Sequence, residues 1–302
     1  MENILKFKCG ICGSELGAPI FMANDRNFNT TDRVFKIIEC NTCGVGQTLP
    51  LPDFAELNQY YPHIYYPRGS ASEKYYRKHI ERFQIDKLKK IQAYSQTGKL
   101  LDIGCGVGYF IRTALNRGYT AEGVEFSEVA AAIGREQWNL QIVSGDFLSN
   151  QFVPESFDIV TLWQVLEHLR QPREVLLKVH SLLKPGGLLV IAVPNFASIQ
   201  AKLFRNRWYH LDVPRHLFHY SPESLVKILD TYNFHVDKID HHSAEHNYAG
   251  ILGSIMRISP PGESFFHKLI RKTVATSFSR VLAKLETSIS KGGTFTAFSR
   301  KY

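Results

Sequence analysis

The sequence predicts an α/β protein: an open, mostly parallel sheet with helices on its faces, preceded by a small metal-organised unit. Three observations carry that prediction. From residue 99 onward, apolar runs of strand length alternate with segments of helical period. A glycine-rich loop, LDIGCGVGYF at Leu101–Phe110, leads from the first of those strands into a helix. Four of the 5 cysteines stand as two Cys-x-x-Cys pairs near the N-terminus.

Composition bounds the classes. The 302 residues suffice for one large domain plus something smaller. Hydrophobic residues at 44% and charged residues at 21% are ordinary for a soluble globular protein. The longest apolar run, Leu188–Val193, is far too short to span a bilayer and reads as a buried strand. MENILKFKCG lacks the basic start and long apolar core of a signal peptide, so the expected location is cytoplasmic. There, cysteines are reduced or metal-bound rather than paired. The net charge of +8 suits nucleic acid, a membrane surface or a phosphorylated small substrate equally well.

Residues 1–50 read as a zinc ribbon. CGIC (Cys9, Cys12) and CNTC (Cys40, Cys43) are each followed by a glycine, Gly13 and Gly44. Such a turn points two thiolates at one place, and the glycine permits the tight backbone whose amides bond the sulfurs. Two knuckles supply the four sulfurs that suit tetrahedral Zn²⁺. RVFKIIEC is the strand that delivers the second pair. The expected role is structural, because so short a unit has little core of its own. A redox role is disfavoured, since neither pair opens a helix of a βαβ unit.

Residues 51–98 follow as a linker and a lead-in helix. LPLPDFAELNQYYPHIYYPRGS, rich in Pro and Tyr, reads as irregular. Ser72–Tyr94 carries Ile80, Phe83, Ile85, Leu88 and Ile91 at mostly helical spacing. Then the alternation begins. KLLDIG is a strand, Tyr109–Asn116 a helix stopped near Gly118, TAEGVEF a strand, and a helix runs through Ala130–Gln137. LQIVSGDF and FDIVTLW are the third and fourth strands. Pro172–Leu183 is a helix with Val175, Leu176, Val179, Leu182 and Leu183 on one face, and GGLLVIAVPN is the fifth strand. Ser221 and Pro222 supply an N-cap and a first-turn proline for another helix, with FHVDKI as the sixth strand. Ligands of such sheets bind beyond the carboxyl ends of the strands.

The glycine loop alone leaves a nicotinamide dinucleotide and S-adenosylmethionine (SAM) both open. Gly104 and Gly106 let the backbone approach either ligand, and Glu125, about twenty residues on, can take two ribose hydroxyls of either. Three features separate them. Asp102 inside the strand suits a ligand with a cationic ammonium and sulfonium. SGDF places Asp146 and Phe147 where an acceptor and an apolar ring can meet an adenine. FDIVTLWQVLEHL, followed by LLKPGGLLVIAVPN, resembles the fourth- and fifth-strand signature of class I SAM-dependent methyltransferases, over roughly residues 99–240.

The resemblance implies a Rossmann-like, seven-stranded methyltransferase sheet over 99–302, with TFTAFSRKY as its antiparallel seventh strand. It implies that Asp102, Gly104, Cys105 and Gly106 line the methionine part of SAM, Cys105 by its backbone. Glu125 and Phe126 would hold ribose and adenine, Asp146 and Phe147 the adenine, and Trp163 and Gln164 would cover the ligand. Plain core packing competes with that role for Phe126, Phe147 and Trp163.

LEHL places Glu167 and His168 just past the fourth strand, where the acceptor must sit. Similar pairs occur in ubiquinone-biosynthesis-type O-methyltransferases and in deoxysugar C-methyltransferases, the latter with a similar four-cysteine zinc domain. His168 is either a general base or a residue that orders its turn. FRNRWYHLDVPRHLFHY adds Arg205, Arg207, Trp208, His210, Arg215, His216 and His219, which either clamp a phosphate or sugar or pack and solvate. Its prolines disfavour a metal site within that stretch. An insertion at 241–293 carries the apolar stripe Phe266, Leu269, Ile270, Val274, Phe278, Val281, Leu282 and Leu285, with Lys268, Arg271, Lys272, Arg280 and Lys284. Over 264–286 it offers either packing on the domain or a partner subunit, or peripheral contact with an anionic membrane. The expected function is SAM-dependent methyl transfer to a small-molecule acceptor: a sugar, a lipid-linked compound or a related metabolite. Nucleic acid is disfavoured, since neither an Asn/Asp-Pro-Pro-Tyr stretch nor a Pro-Cys nucleophile is present.

Overall fold

Why the runs from residue 99 form one sheet is visible in their alternation. The computed structural model describes residues 7–61, 73–257 and 265–302, without the side chains of 73–79, 244–245 and 265–269. The side chains of Phe266, Lys268 and Leu269 of the expected stripe therefore lie outside what is described. The strands are β1 (Gly17–Asn24), β2 (Val34–Cys40), β3 (Gly46–Leu49), β4 (Lys99–Ile103), β5 (Thr120–Glu125) and β6 (Ile142–Ser144). They continue with β7 (Phe157–Trp163), β8 (Leu183–Pro194), β9 (Phe218–His219), β10 (Phe234–Asp240) and β11 (Thr294–Lys301). Along β4, Leu101 and Ile103 enter one core and Leu100 the other. On β8, Leu189, Ile191 and Val193 oppose Leu188 and Val190 in the same way. A sheet buried on both faces needs such continuous apolar runs.

The main sheet has seven strands in the order β10-β11-β8-β7-β4-β5-β6. β11 is antiparallel to both neighbours, and the pairs from β8 to β6 are parallel, as expected. The chain leaves β4 towards β5 and β6, then returns to β7 on the other side of β4. That reversal opens a crevice beyond the carboxyl ends of β4 and β7.

The helices are α1 (Phe54–Gln59), α2 (Glu73–Gln92), α3 (Tyr109–Leu115), α4 (Glu128–Trp138) and α5 (Pro172–Leu182). After them come α6 (Ile199–Phe204), α7 (Pro222–Thr231), α8 (Ala244–Met256) and α9 (Phe265–Ser288). The linker expected to be irregular contains α1, which Asp53 and Glu56 start as a reciprocal capping box.

The N-terminal unit shares its core with the rest of the chain. Its sheet runs β1-β2-β3-β9, so a two-residue strand from the C-terminal half completes it. Phe35, Ile37 and Val45 join Phe218, Tyr220 and Leu225 in one continuous core. Arg215, fully buried, bonds Asp25 at 2.7 Å, Asp212 at 2.8 Å and the Tyr60 carbonyl at 3.0 Å. Burial alone pushes the Asp25 carboxyl up, but Arg215 and Thr30 outweigh it and hold the group below the usual carboxylate range. No described helix is long and apolar enough to cross a membrane.

The insertion forms α8 and α9. Gly250 and Gly253 let α8 approach closely, since a Cβ there would lie 2.2 Å from Gln200 and 2.3 Å from Tyr209. α9 packs inward through Ala275, Ser279, Ala283 and Glu286, and leaves Ile270, Val274, Phe278, Val281 and Leu285 exposed. The expected stripe thus exists as a helix, but it faces away from its own domain.

Candidate functional site

A cavity of about 480 Å³ opens beyond the carboxyl ends of β4, β5 and β6. Gly104, Gly106, Glu125, Phe126, Asp146, Phe147, Gln164 and His168 line it, with Phe54, Leu57 and Tyr61 from the α1 region across the opening. Its volume suits a small-molecule ligand. Eight of the residues singled out in the sequence therefore share one wall.

Glu125 ends β5 with its carboxylate fixed from both sides. The Gly106 amide donates to Oε2 at 2.8 Å and the Ser127 amide to Oε1 at 2.9 Å. Gly104 has a left-handed φ of 70°, and a Cβ there would meet Val165 at 2.5 Å, so the loop lies flush against the segment after β7. Phe126 is 58% exposed, which excludes plain core packing for it. Phe147 is buried and also faces the cavity, with the Lys178 ammonium 4.6 Å from its ring centre. Asp146 caps its own turn by accepting from the Leu148 amide at 3.3 Å.

Three expected cofactor residues do not line this cavity. Asp102 lies beneath the loop, where Thr161 donates to it at 2.6 Å, and burial raises its pKa to about 7. The Cys105 thiol turns towards Gly123, where an added Cβ would lie 2.6 Å from the sulfur. Burial pushes that thiol well up, away from the thiolate form. Trp163 faces a second cavity instead.

That second cavity, of about 520 Å³, lies beyond β7 and β8. Trp163, Gln164, Ala192, Thr294 and Thr296 form its floor, and Phe83 and Lys87 of α2 and His246 of α8 close it. Gln164 lines both cavities and holds a left-handed φ of 58°, a strained backbone for a non-glycine residue. Trp163 Nε1 and Thr294 Oγ1 have no hydrogen-bond partner among the described residues. Burial lowers the pKa of His246 to about 3, so its imidazole is neutral. Lys87, His246 and Thr294 carried no sequence signal. They meet only because α2, α8 and β11 converge.

Of the pair after β7, His168 reaches the first cavity and Glu167 does not. Burial raises Glu167 to about 8 and lowers His168, so both are neutral at pH 7. His168 Nδ1 lies 3.0 Å from the Tyr61 hydroxyl and 3.1 Å from the Arg215 carbonyl oxygen. The arginine- and histidine-rich stretch that follows supplies no residue to the wall of either cavity. Trp208 donates to Gln200 at 3.0 Å, His210 bonds the His246 carbonyl and His219 bonds Thr48. Arg205 and Arg207 are exposed. This stretch ties the N-terminal unit and the insertion to the main sheet.

The four cysteines Cys9, Cys12, Cys40 and Cys43 bring their sulfurs within 4.8 Å of one another. Cys9–Cys43 at 3.6 Å and Cys12–Cys40 at 3.5 Å are far longer than a disulfide and close to the edge of a tetrahedron built on Zn–S bonds of about 2.3 Å. Gly13 and Gly44 have φ of 73° and 75°, so each knuckle needs glycine for its backbone rather than for space. The donor set fits a zinc ion.

Residues 76–239 match the family model described as a methyltransferase domain. That span is more than half of the chain. The chain belongs to the methyltransferase domain family. It is similar to a ubiquinone biosynthesis O-methyltransferase of Pseudomonas aeruginosa (strain LESB58), 32% identical over 103 residues, which are 32% of this chain and 44% of that protein. A mitochondrial ubiquinone biosynthesis O-methyltransferase of Schizosaccharomyces pombe is 32% identical over 102 residues, 31% of this chain and 37% of that one. This methyltransferase-family chain thus spans less than half the length of those relatives. A SAM-dependent methyltransferase from Archaeoglobus fulgidus has the same fold, with a TM-score of 0.51 at 22% identity, over 76% of this chain and 97% of that one. So has the cyclase SpnF, at a TM-score of 0.51 and 19% identity, over 73% and 80% of the two chains. The fold by itself therefore does not fix the reaction.

Proposed function

We propose that the protein transfers a methyl group from SAM to a small-molecule acceptor: a sugar, a lipid-linked compound or a related metabolite. The observation that carries this reading is Glu125. A carboxylate held between the Gly106 and Ser127 amides in a cavity wall beyond the strand ends is suited to a ribose diol. Phe126, Asp146 and Phe147 then take the adenine. The methionine end lies over Gly104 and Gly106, with Asp102 beneath as the counter-charge for the cation. The acceptor meets the sulfonium beside Gln164, which lines both cavities.

Methyl transfer is an in-line displacement, and most of its acceleration comes from placing the acceptor on the sulfonium axis. A hydroxyl acceptor also loses a proton. We assign that proton to the turn bearing Glu167 and His168, whose imidazole is neutral and reaches the cavity. The four-cysteine site, with Zn²⁺ bound, braces the N-terminal sheet. Incubation with methyl-labelled SAM and cell extract, followed by fractionation, tests the proposal. Label is expected in a lipid or polar small-molecule fraction. Label confined to macromolecules, or no transfer at all, contradicts it.

A further inference from the structure

Glu167, His168 and His216 come from two separate segments, the turn after β7 and the stretch before β9. One nitrogen of each imidazole and one carboxylate oxygen nevertheless lie within 4.8 Å of one another. The imidazole rings stand edge to face, with centroids 4.5 Å apart. Nδ1 of His216 is 2.8 Å from the His210 carbonyl oxygen, and Nδ1 of His168 is 3.1 Å from that of Arg215. A carbonyl only accepts, so each Nδ1 carries the ring proton and each Nε2 keeps its lone pair. Histidines that bind metals are oriented in this way, with the far N–H fixed by a backbone carbonyl. Asp212 Oδ2, 3.9 Å from His216 Nε2, is too distant to compete and already accepts from Arg215.

Glu167 supplies an independent observation. It is 1% exposed, and neither carboxylate oxygen has a hydrogen-bond partner in another described residue. The Tyr220 hydroxyl, within electrostatic reach of Glu167, is equally buried and equally without a hydrogen-bond partner there. Buried polar atoms are normally satisfied, and a cluster that is not points to an absent binding partner.

We propose that Glu167, His168 and His216 form a second metal site, distinct from the four cysteines, for a divalent first-row transition ion of the Zn²⁺ class. Two imidazoles and one carboxylate are a donor set for Zn²⁺ or Fe²⁺, and three protein ligands leave at least one position open. His168 and Tyr61 both line the first cavity, so the open position faces the place assigned to the cofactor. The site goes beyond the proposed function, because it needs no SAM to form. With an ion bound, the site would lower the pKa of an acceptor hydroxyl, whose proton would pass to water, and His168 would serve as a ligand in place of a free base.

The test counts ions in the full-length protein. After incubation with excess Zn²⁺ and desalting, two zinc ions per chain are expected in the wild type and one in both Glu167→Gln and His216→Gln. One ion in the wild type overturns the proposal, as do two ions retained in both variants. No ion in the wild type overturns both metal sites. Should the variants fail to fold, the wild type grown without zinc and titrated with Co²⁺ decides. The thiolate site gives intense charge-transfer absorption, and a second equivalent is expected to add only the weaker visible bands of nitrogen and oxygen ligation. Saturation after one equivalent contradicts the proposal.

Discussion

Asp102 and Arg215 show how two buried charges in one chain reach opposite ends. Among the described residues Thr161 is the hydrogen-bond partner of Asp102, and burial lifts its pKa to about 7 against the opposing pull of Thr161 and Lys87. The unliganded protein therefore loses stability as pH rises from the ordinary carboxylate range towards about 7, because unfolding there releases the proton. A cationic ligand prefers the ionised form. SAM affinity is then expected to fall between about pH 8 and about pH 6, with proton release on binding near the lower value. Calorimetry in buffers of different ionisation enthalpy reads that release, and Asp102→Asn should abolish it. Proton release that persists in Asp102→Asn contradicts the assignment. Arg215 instead satisfies two buried carboxylates. Arg215→Met should cost about 3–5 kcal/mol in denaturant unfolding, since Asp25 and Asp212 lose their cation. Arg215→Lys should fall between Met and the wild type, because it keeps the charge and loses the fork. The Asp25 pKa lies below the usual carboxylate range, so this stabilisation is present above that range and fades as pH drops through it.

Among the elements, the legible ones were those whose apolar period is local. β4, β7 and β8 announce themselves as buried runs, α7 by its Ser221–Pro222 start, and the glycine loop by its place between strand and helix. β9, two residues long, has no period at all and is defined only by its pairing with β3. The period of α9 predicted a helix but not its orientation. Small residues Ala275, Ser279 and Ala283 let the other face come close to α8, so the larger apolar side chains stay outside. Likewise the metal potential of His216 was invisible within its own proline-broken stretch, because its partners lie some fifty residues earlier in the chain. β3–β9 pairing has a consequence for stability. With zinc chelated, the N-terminal sheet and main sheet are expected to melt as a single transition at lower temperature, because they share one core. Two separated transitions by calorimetry would instead describe an independent ribbon.

At the scale of the whole molecule, the insertion roofs the second cavity with α8 while α9 presents Ile270, Val274, Phe278, Val281 and Leu285 outward, with Arg280 and Lys284 exposed beside them. An apolar helix face edged by cations suits an anionic lipid surface. Flotation with anionic vesicles should recover the protein, weaken as salt rises, and fail for Phe278→Asp/Val281→Asp. Equal flotation with neutral vesicles would contradict an electrostatic contact. In the proposed function the first cavity holds SAM through Glu125. Titration calorimetry of the full-length protein with SAM measures it directly. One site per chain is expected, weakened in Glu125→Ala by about 1–3 kcal/mol, the worth of a charged hydrogen-bonding contact. No heat of binding in the wild type, or unchanged affinity in Glu125→Ala, would contradict it.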